Sequence, residues 1–206
     1  MDWNKKLHHQ IYIGSLTLLN NAVETAILKE DTASIVIIDP DGSWYHKTSG
    51  LKAKQGYNTW LITQLDSEFV LTYDLKAALD QKTVIYITKF QRNCVVEEWL
   101  EFVHTYIKEG LTLIQQDKHQ HIPLRFILSP LEEIGKIPKL SKLMAGSRGF
   151  RLGVTLGVEN LNVLEKLYDK GTQEKIVQLS ICTKVRNKNF HRNVVRPHFR
   201  LPFCKD

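Results

Sequence analysis

Four short runs of this sequence are apolar or β-branched at nearly every position: Ser34–Ile38 (SIVII), Thr83–Ile87 (TVIYI), Leu124–Leu128 (LRFIL) and Leu152–Leu156 (LGVTL). A strand with one wet face alternates apolar and polar residues. A run that does not alternate is buried on both faces, and strands of that kind belong to parallel sheets covered by helices. None of the runs is long enough to be a membrane span; the longest strongly apolar stretch, Ile35–Ile38, falls far short of the roughly 20 residues a bilayer requires.

The segments between the runs fit that architecture. Ile11–Ile13 and Tyr57–Ile62 read as further strands, and Gln178–Cys182 as a last one. Helical spacing is expected over Leu18–Leu28, Trp44–Gln55 (stopped by Gly56), Leu71–Leu79, Val95–Ile114, Pro138–Met144, Leu161–Tyr168 and Thr172–Val177. Asp39-Pro40-Asp41-Gly42 is a strong turn signal after a strand. Strands and helices in alternation predict an α/β fold, a mainly parallel sheet with helices on both faces, within one domain.

Charge divides the chain in two. The segment Lys184–Asp206 holds seven basic residues and one acid, whereas the rest holds 21 of each, so the whole net charge of +6 sits in the tail. A balanced body over 1–183 and a basic appendage over 184–206 are therefore expected. Three scattered cysteines (Cys94, Cys182, Cys204) form no CxxC pair, and Met1–Gln10 has no apolar signal core, which fits a reducing cytoplasm. His8-His9 and His119-x-His121 with Asp117 have no cysteine partner, and the latter group lies in a polar loop, so solvated histidines rather than a metal site are expected. Trp99 and Phe102 are expected in the core.

Three stretches carry a family resemblance: Ser34 to Leu51 with Lys54-Gln55-Gly56-Tyr57; Ile122 to Pro138 (IPLRFILSPLEEIGKIP) continuing through Leu143-Met-Ala-Gly-Ser-Arg148; and Leu161–Tyr168 followed by Ser180-Ile-Cys-Thr-Lys184. In this order they resemble the nucleotide-binding domain of the type IV secretion coupling proteins, the TraG/TraD family, which are membrane-anchored hexameric ATPases of conjugation. The resemblance covers about residues 10–184. It implies a RecA-like P-loop NTPase fold, a three-layer sandwich.

The positions where that family holds nucleotide are altered. A phosphate loop needs glycines, a Lys for the β/γ-phosphates and a Ser/Thr for Mg²⁺. The matching segment, Gly14 to Asn21, keeps one glycine, places Leu16, Leu18 and Leu19 where phosphate would lie, and has Asn20 and Asn21 for Lys and Thr. The Asp-Glu pair that would organise Mg²⁺ and polarise water is Ser129-Pro130. Glu132 and Glu133 lie just beyond, but past a proline that changes direction and reach. The family's Asp-Pro-Lys-Gly-Glu turn is Asp39-Pro40-Asp41-Gly42-Ser43, and its sensor Gln is Glu159, while Arg148 keeps a family arginine. Only 12 residues, Thr63–Asp74, stand where the family inserts its all-α lid, and no N-terminal membrane anchor is expected.

The resemblance with these departures implies a catalytically silent, pseudo-ATPase module of conjugative transfer or type IV secretion in the bacterial cytoplasm. It would need no cofactor, would insert in no membrane by itself, and would have other secretion or conjugation proteins as partners. Gly14, Asp39, Arg148 and Glu159 would mark a vestigial nucleotide region. Two alternatives stay open: an active ATP- and Mg²⁺-dependent translocase subunit with an atypical site, and an inert remnant of a mobile element. In the tail, Arg186, Lys188, Arg192, Arg196 and Arg200 are interleaved with Phe190, His191, His198, Phe199 and Phe203. Such cations neutralise phosphates and such rings stack on single-stranded bases. The same residues also suit an edge strand followed by a solvated basic segment.

Overall fold

The computed structural model describes residues 7–62, 75–89, 96–116 and 122–186. Seven strands run β1 (His9–Ile13), β2 (Ser34–Ile38), β3 (Asn58–Ile62), β4 (Thr83–Ile87), β5 (Leu124–Leu128), β6 (Leu152–Val158) and β7 (Ser180–Lys184). Between them lie α1 (Leu16–Lys29), α2 (Ser43–Lys54), α3 (residues 75–80), α4 (Val96–Gln116), α5 (Leu131–Ile134), α6 (Leu140–Gly146), α7 (Leu161–Tyr168) and α8 (Lys170–Gln178), with a 3₁₀ turn over Ser147–Phe150. The strands form one sheet in the order β3-β4-β2-β5-β6-β1-β7, and every pairing among the described residues is parallel.

Handedness fixes which helix covers which face. The crossovers β1→β2 and β2→β3 step toward the β3 edge, and all later ones step back toward β7. Right-handed connections therefore put α1 and α2 on one face and the remaining helices on the other. The packing agrees. Val23, Ile27 and Trp44 meet Ile35, Ile37, Val84 and Tyr86 on the first face. Val36, Ile38, Ile85 and Ile87 meet residues of α3 to α8 on the second, Trp99, Val103, Leu131, Met144 and Leu164 among them. Trp99 is thus core as expected, and Phe102 packs half-buried against it.

The sequence expectations hold for element type and drift at boundaries. Helix α1 starts at Leu16 rather than Leu18, β7 covers Ser180–Lys184 rather than Gln178–Cys182, and α5 was not anticipated. Helix α2 has no ordinary apolar stripe. Its buried face is Trp44, Thr48 and Lys52, and polar bonds replace oil there. Thr48 Oγ1 lies 2.7 Å from the Tyr86 hydroxyl. Lys52 Nζ donates to the Glu30 carbonyl and Gln55 Oε1 and lies 3.7 Å from the Tyr57 ring centre. Gly56 ends the helix at φ 84°, in the left-handed region that favours glycine.

His9 is a correction to the view of a solvated pair. It is buried in β1. Its Nδ1 accepts from the Val154 N–H at 3.0 Å, so the neutral ring carries its proton on Nε2, which faces the Met144 carbonyl and Ser147 Oγ. His8 is exposed, with its carbonyl receiving Arg125 Nη1. Asp117, His119, His121, Cys94, Cys204 and the segment Thr63–Asp74 fall outside the described residues.

A buried ion pair ties the end of α1 to the sheet. Arg125 Nε donates to Glu30 Oε2 at 2.8 Å, with side-chain exposures of 5% and 10%. Removing one partner of such a pair strands a buried charge. Arg125→Met is expected to lower stability by about 3–5 kcal/mol, and Arg125→Met with Glu30→Gln by clearly less. Urea unfolding midpoints of the two variants and the parent check this.

Candidate functional site

Because all strands are parallel, their carboxyl ends share one edge. Ligands of open α/β sheets bind where neighbouring strands send their connections to opposite faces. Here β1 and β2 send theirs to one face, and β4, β5 and β6 to the other, so that edge is where a site belongs. The residues singled out from sequence at strand ends, Gly14, Asp39, Ser129 and Glu159, all lie along it.

The joint between β1 and α1 is two residues long, Gly14 and Ser15. Gly14 N donates to the Val158 carbonyl at 3.1 Å, and Ser15 O already accepts from Leu19 N. Leu19 is fully buried and Leu18 half-buried, while Leu16 is 43% exposed. Asn20 and Asn21 stand one turn inside the helix. The Asn20 carbonyl receives Trp44 Nε1 at 3.4 Å, and Asn21 is exposed, its carbonyl receiving Thr25 Oγ1.

Three residues occupy one level of adjacent strands. Ile87 pairs with Ile38, and Ile38 with Leu128, so Thr88, Asp39 and Ser129 follow in register. All three are buried. Asp39 Oδ1, Thr88 Oγ1 and Ser129 Oγ meet no hydrogen-bond partner among the described residues. Ser129 leans toward β6, its Oγ 1.9 Å from where a Cβ on Gly157 would stand, so glycine is required there. Pro130 follows through a cis peptide bond and opens α5.

Asp39 is the most perturbed acid of the edge. Burial pushes its carboxyl up to about 6, and the neighbouring Asp41 carboxyl adds to the rise. Bonds from the Tyr45 and Trp44 N–H groups at the start of α2 oppose it, that from Tyr45 reaching Oδ2 at 2.9 Å. At Asp41 burial acts upward, but the Ser43 N–H and hydroxyl outweigh it and the carboxyl ends below the ordinary value. Glu133 is raised, by burial first and then by Asp41 and Glu132, with Lys89 opposing. Glu132 Oε1 is engaged by the Glu159 N–H at 2.8 Å. Four carboxylates therefore gather at the ends of β2 and β5, yet no three Asp, Glu, His or Cys residues among those described are placed to hold a metal ion.

Arg148 lies in the 3₁₀ turn before β6, and its side chain is outside the described residues. Arg186 is exposed and is the last residue described; Lys188, Arg192, Arg196 and Arg200 lie beyond. Thr88 is not among the residues singled out from sequence, and Asp41 is read there only as part of a turn. The signal for Thr88 is simple: it is the first residue after an apolar run, as Asp39 and Ser129 are.

An all-parallel seven-stranded sheet between two helical layers, with its candidate site at the carboxyl edge, makes this a RecA-like three-layer α/β protein. The structure matches the bacterial conjugative coupling protein TrwBdeltaN70, solved in a trigonal form in complex with sulphate, with a TM-score of 0.61 and 9% identity over 86% of this chain and 69% of that one. The family model for conjugative DNA transfer by type IV secretory systems matches residues 61–191. The chain belongs to that family. No curated protein matches its sequence. Among the described residues no helix is long and apolar enough to cross a membrane.

The ionised form of Asp39 is disfavoured by folding. Below the unfolded value near 3.8 both states hold the proton and nothing is lost; as pH rises to about 6 the penalty grows, and above that it is complete. Asp39→Asn keeps an oxygen for the Tyr45 N–H and removes the charge. It is expected to stabilise the protein by about 1–3 kcal/mol at pH 7.5 and by little at pH 4. Denaturant midpoints at the two pH values check this; destabilisation larger at pH 7.5 than at pH 4 would instead assign the ionised carboxylate a supporting role at the start of α2.

Proposed function

We propose that this chain is a catalytically silent, coupling-protein-like module of conjugative DNA transfer. It acts in the bacterial cytoplasm by binding other proteins of the secretion or conjugation machinery, and it binds single-stranded DNA through its basic segment. The observation that supports the silent reading most is the two-residue joint of Gly14 and Ser15. A phosphate loop presents several successive backbone N–H groups around a concavity and follows them with a Lys and a Ser/Thr. Here helix α1 follows β1 after only two residues, Leu19 in its first turn is fully buried, and the Gly14 N–H is already bonded. The strand end that would carry a metal-binding acid carries Ser129, and Glu132 is bonded to the next strand's exit. Phosphoryl transfer is mostly positioning and charge stabilisation, so a site without these groups has little left with which to accelerate it.

Calorimetric titration of the purified chain with ATP and Mg²⁺ tests the first half. No saturable heat and no phosphate release are expected. Tight, Mg²⁺-dependent binding with turnover would replace this reading with that of an active ATPase using an atypical site.

The DNA half rests on Arg192, Arg196 and Arg200 among their aromatic neighbours. Because β7 includes Lys184 and the Val185 N–H bonds to the Ile13 carbonyl, a truncation at residue 183 would cut into the sheet. Replacing the three arginines by Gln is the cleaner probe. Titration of a labelled single-stranded oligonucleotide is expected to give weaker binding and a log K against log salt slope shallower by about 2, at roughly 0.7 per phosphate contact. Equal affinity and equal slope would reject a site in this segment.

A further inference from the structure

Among the described residues, the carboxyl edge gathers carboxylates at the ends of β2 and β5. Asp41, Glu132 and Glu133 are exposed around the ends of β2 and β5, and Lys89 is the cation acting against them at Glu133. Behind this rim lies Asp39, fully buried, its Oδ1 without a partner among the described residues and its carboxyl held against that of Asp41. The start of α2 supplies N–H groups to Asp39 and leaves that second oxygen unmet. The amino edge differs: Glu30 is paired with Arg125, and Lys82 Nζ is bonded to the Asp31 carbonyl. Among the described residues Lys89 acts against this rim, and a further guanidinium or ammonium group is the chemistry that would complement it.

The chain brings such groups to that edge itself. Strand β7 is parallel to the rest, so it ends there, and the Val185 N–H donates to the Ile13 carbonyl at 2.8 Å, which keeps the backbone at the edge as far as Arg186. Residues 187–206 follow, with Lys188, Arg192, Arg196, Arg200 and Lys205 against the single acid Asp206. In the order β7-β1-β6-β5-β2 the acidic rim is three to four strands away. At about 4.8 Å per strand that is about 14–19 Å. Six extended residues from Arg186 to Arg192 span about 20 Å at about 3.3 Å each, and Arg196 and Arg200 reach further.

We propose that residues 187–206 dock on the acidic carboxyl edge of their own domain, the arginines lying over Asp41, Glu132 and Glu133. Tethering makes a weak contact sufficient, since a short linker holds the two at an effective concentration of about 1 mM. The inference uses the cations that the proposed DNA reading uses, so single-stranded DNA and the acidic edge would compete for them.

The test is a nitroxide attached to Cys204 of the full chain in a Cys94→Ser/Cys182→Ser background, read by paramagnetic broadening of amide signals. Broadening at Asp41, Gly42, Ser43, Glu132 and Glu133 is expected at low salt. It should be lost at about 1 M salt, where the screening length falls to about 3 Å. It should also be lost in the Asp41→Asn/Glu132→Gln/Glu133→Gln variant, whose substituted side chains keep their acceptor oxygens for the Ser43 and Glu159 N–H groups. No broadening at these amides, or the same broadening in the neutralised variant, overturns the proposal. Adding a single-stranded oligonucleotide separates the two readings. Oligonucleotide binding without rim broadening removes only the docking proposal, and rim broadening without oligonucleotide binding removes only the DNA reading.

Discussion

Glu30 is where the sheet and its first helical layer are tied together. Its carboxylate takes the Thr32 N–H and hydroxyl and the Ala33 N–H on one oxygen, and Arg125 Nε on the other. Its carbonyl takes Lys52 Nζ and the Tyr57 hydroxyl. The turn from α1 to β2, the end of α2, the start of β3 and the middle of the sheet thus converge on one residue. Arg125 extends the set through Nη1 to Thr155 Oγ1 and the His8 carbonyl, which fixes β1 and β6 beside β5. Glu30 feels burial pushing its carboxyl up, but Arg125 and the Thr32 bonds prevail and it ends below the ordinary value. A charge can stay buried there only because so many donors surround it.

That arrangement makes the two edges of the sheet unequal. At the amino edge Glu30, Arg125, Lys52 and Lys82 are paired with each other or with carbonyls. At the carboxyl edge Asp39, Thr88 and Ser129 are buried with unmet oxygens and the exposed carboxylates repel one another. A row of unmet polar groups following strand ends is expected where the strands of a parallel sheet point their carboxyl ends toward a site.

The sheet was legible in the sequence because burial on both faces leaves no choice of residue. Ser34–Ile38, Thr83–Ile87 and Leu124–Leu128 were read as strands with the bounds that the structure gives them. Short or polar elements were harder. Helix α2 buries Thr48 and Lys52, whose partners Tyr86, Glu30 and Gln55 are set by tertiary placement, and α5 is a single turn after a proline. His9 looked like half of a solvated pair because nothing in its neighbours announces Met144, Ser147 and Val154, all more than 130 positions away. At the candidate site, the apolar runs put Asp39 and Ser129 just after strands, Glu159 was marked through the family resemblance, and the reach of Ser129 over Gly157 depends on register and was not legible.

A fold can persist at 9% identity because the constraint on the strands is burial, which many sequences meet. A phosphate site has no such tolerance, since it depends on the length and direction of one connection. The joint at Gly14 and Ser15 brings α1 directly onto the end of β1, where the Gly14 N–H closes on Val158 and the Val185 N–H on Ile13. These bonds sew β6, β1 and the exit of β7 together at the edge where such a loop would have to open. The shape of that joint therefore bears on both ends of the molecule's chemistry: what its edge can hold, and where its one large excess of charge begins.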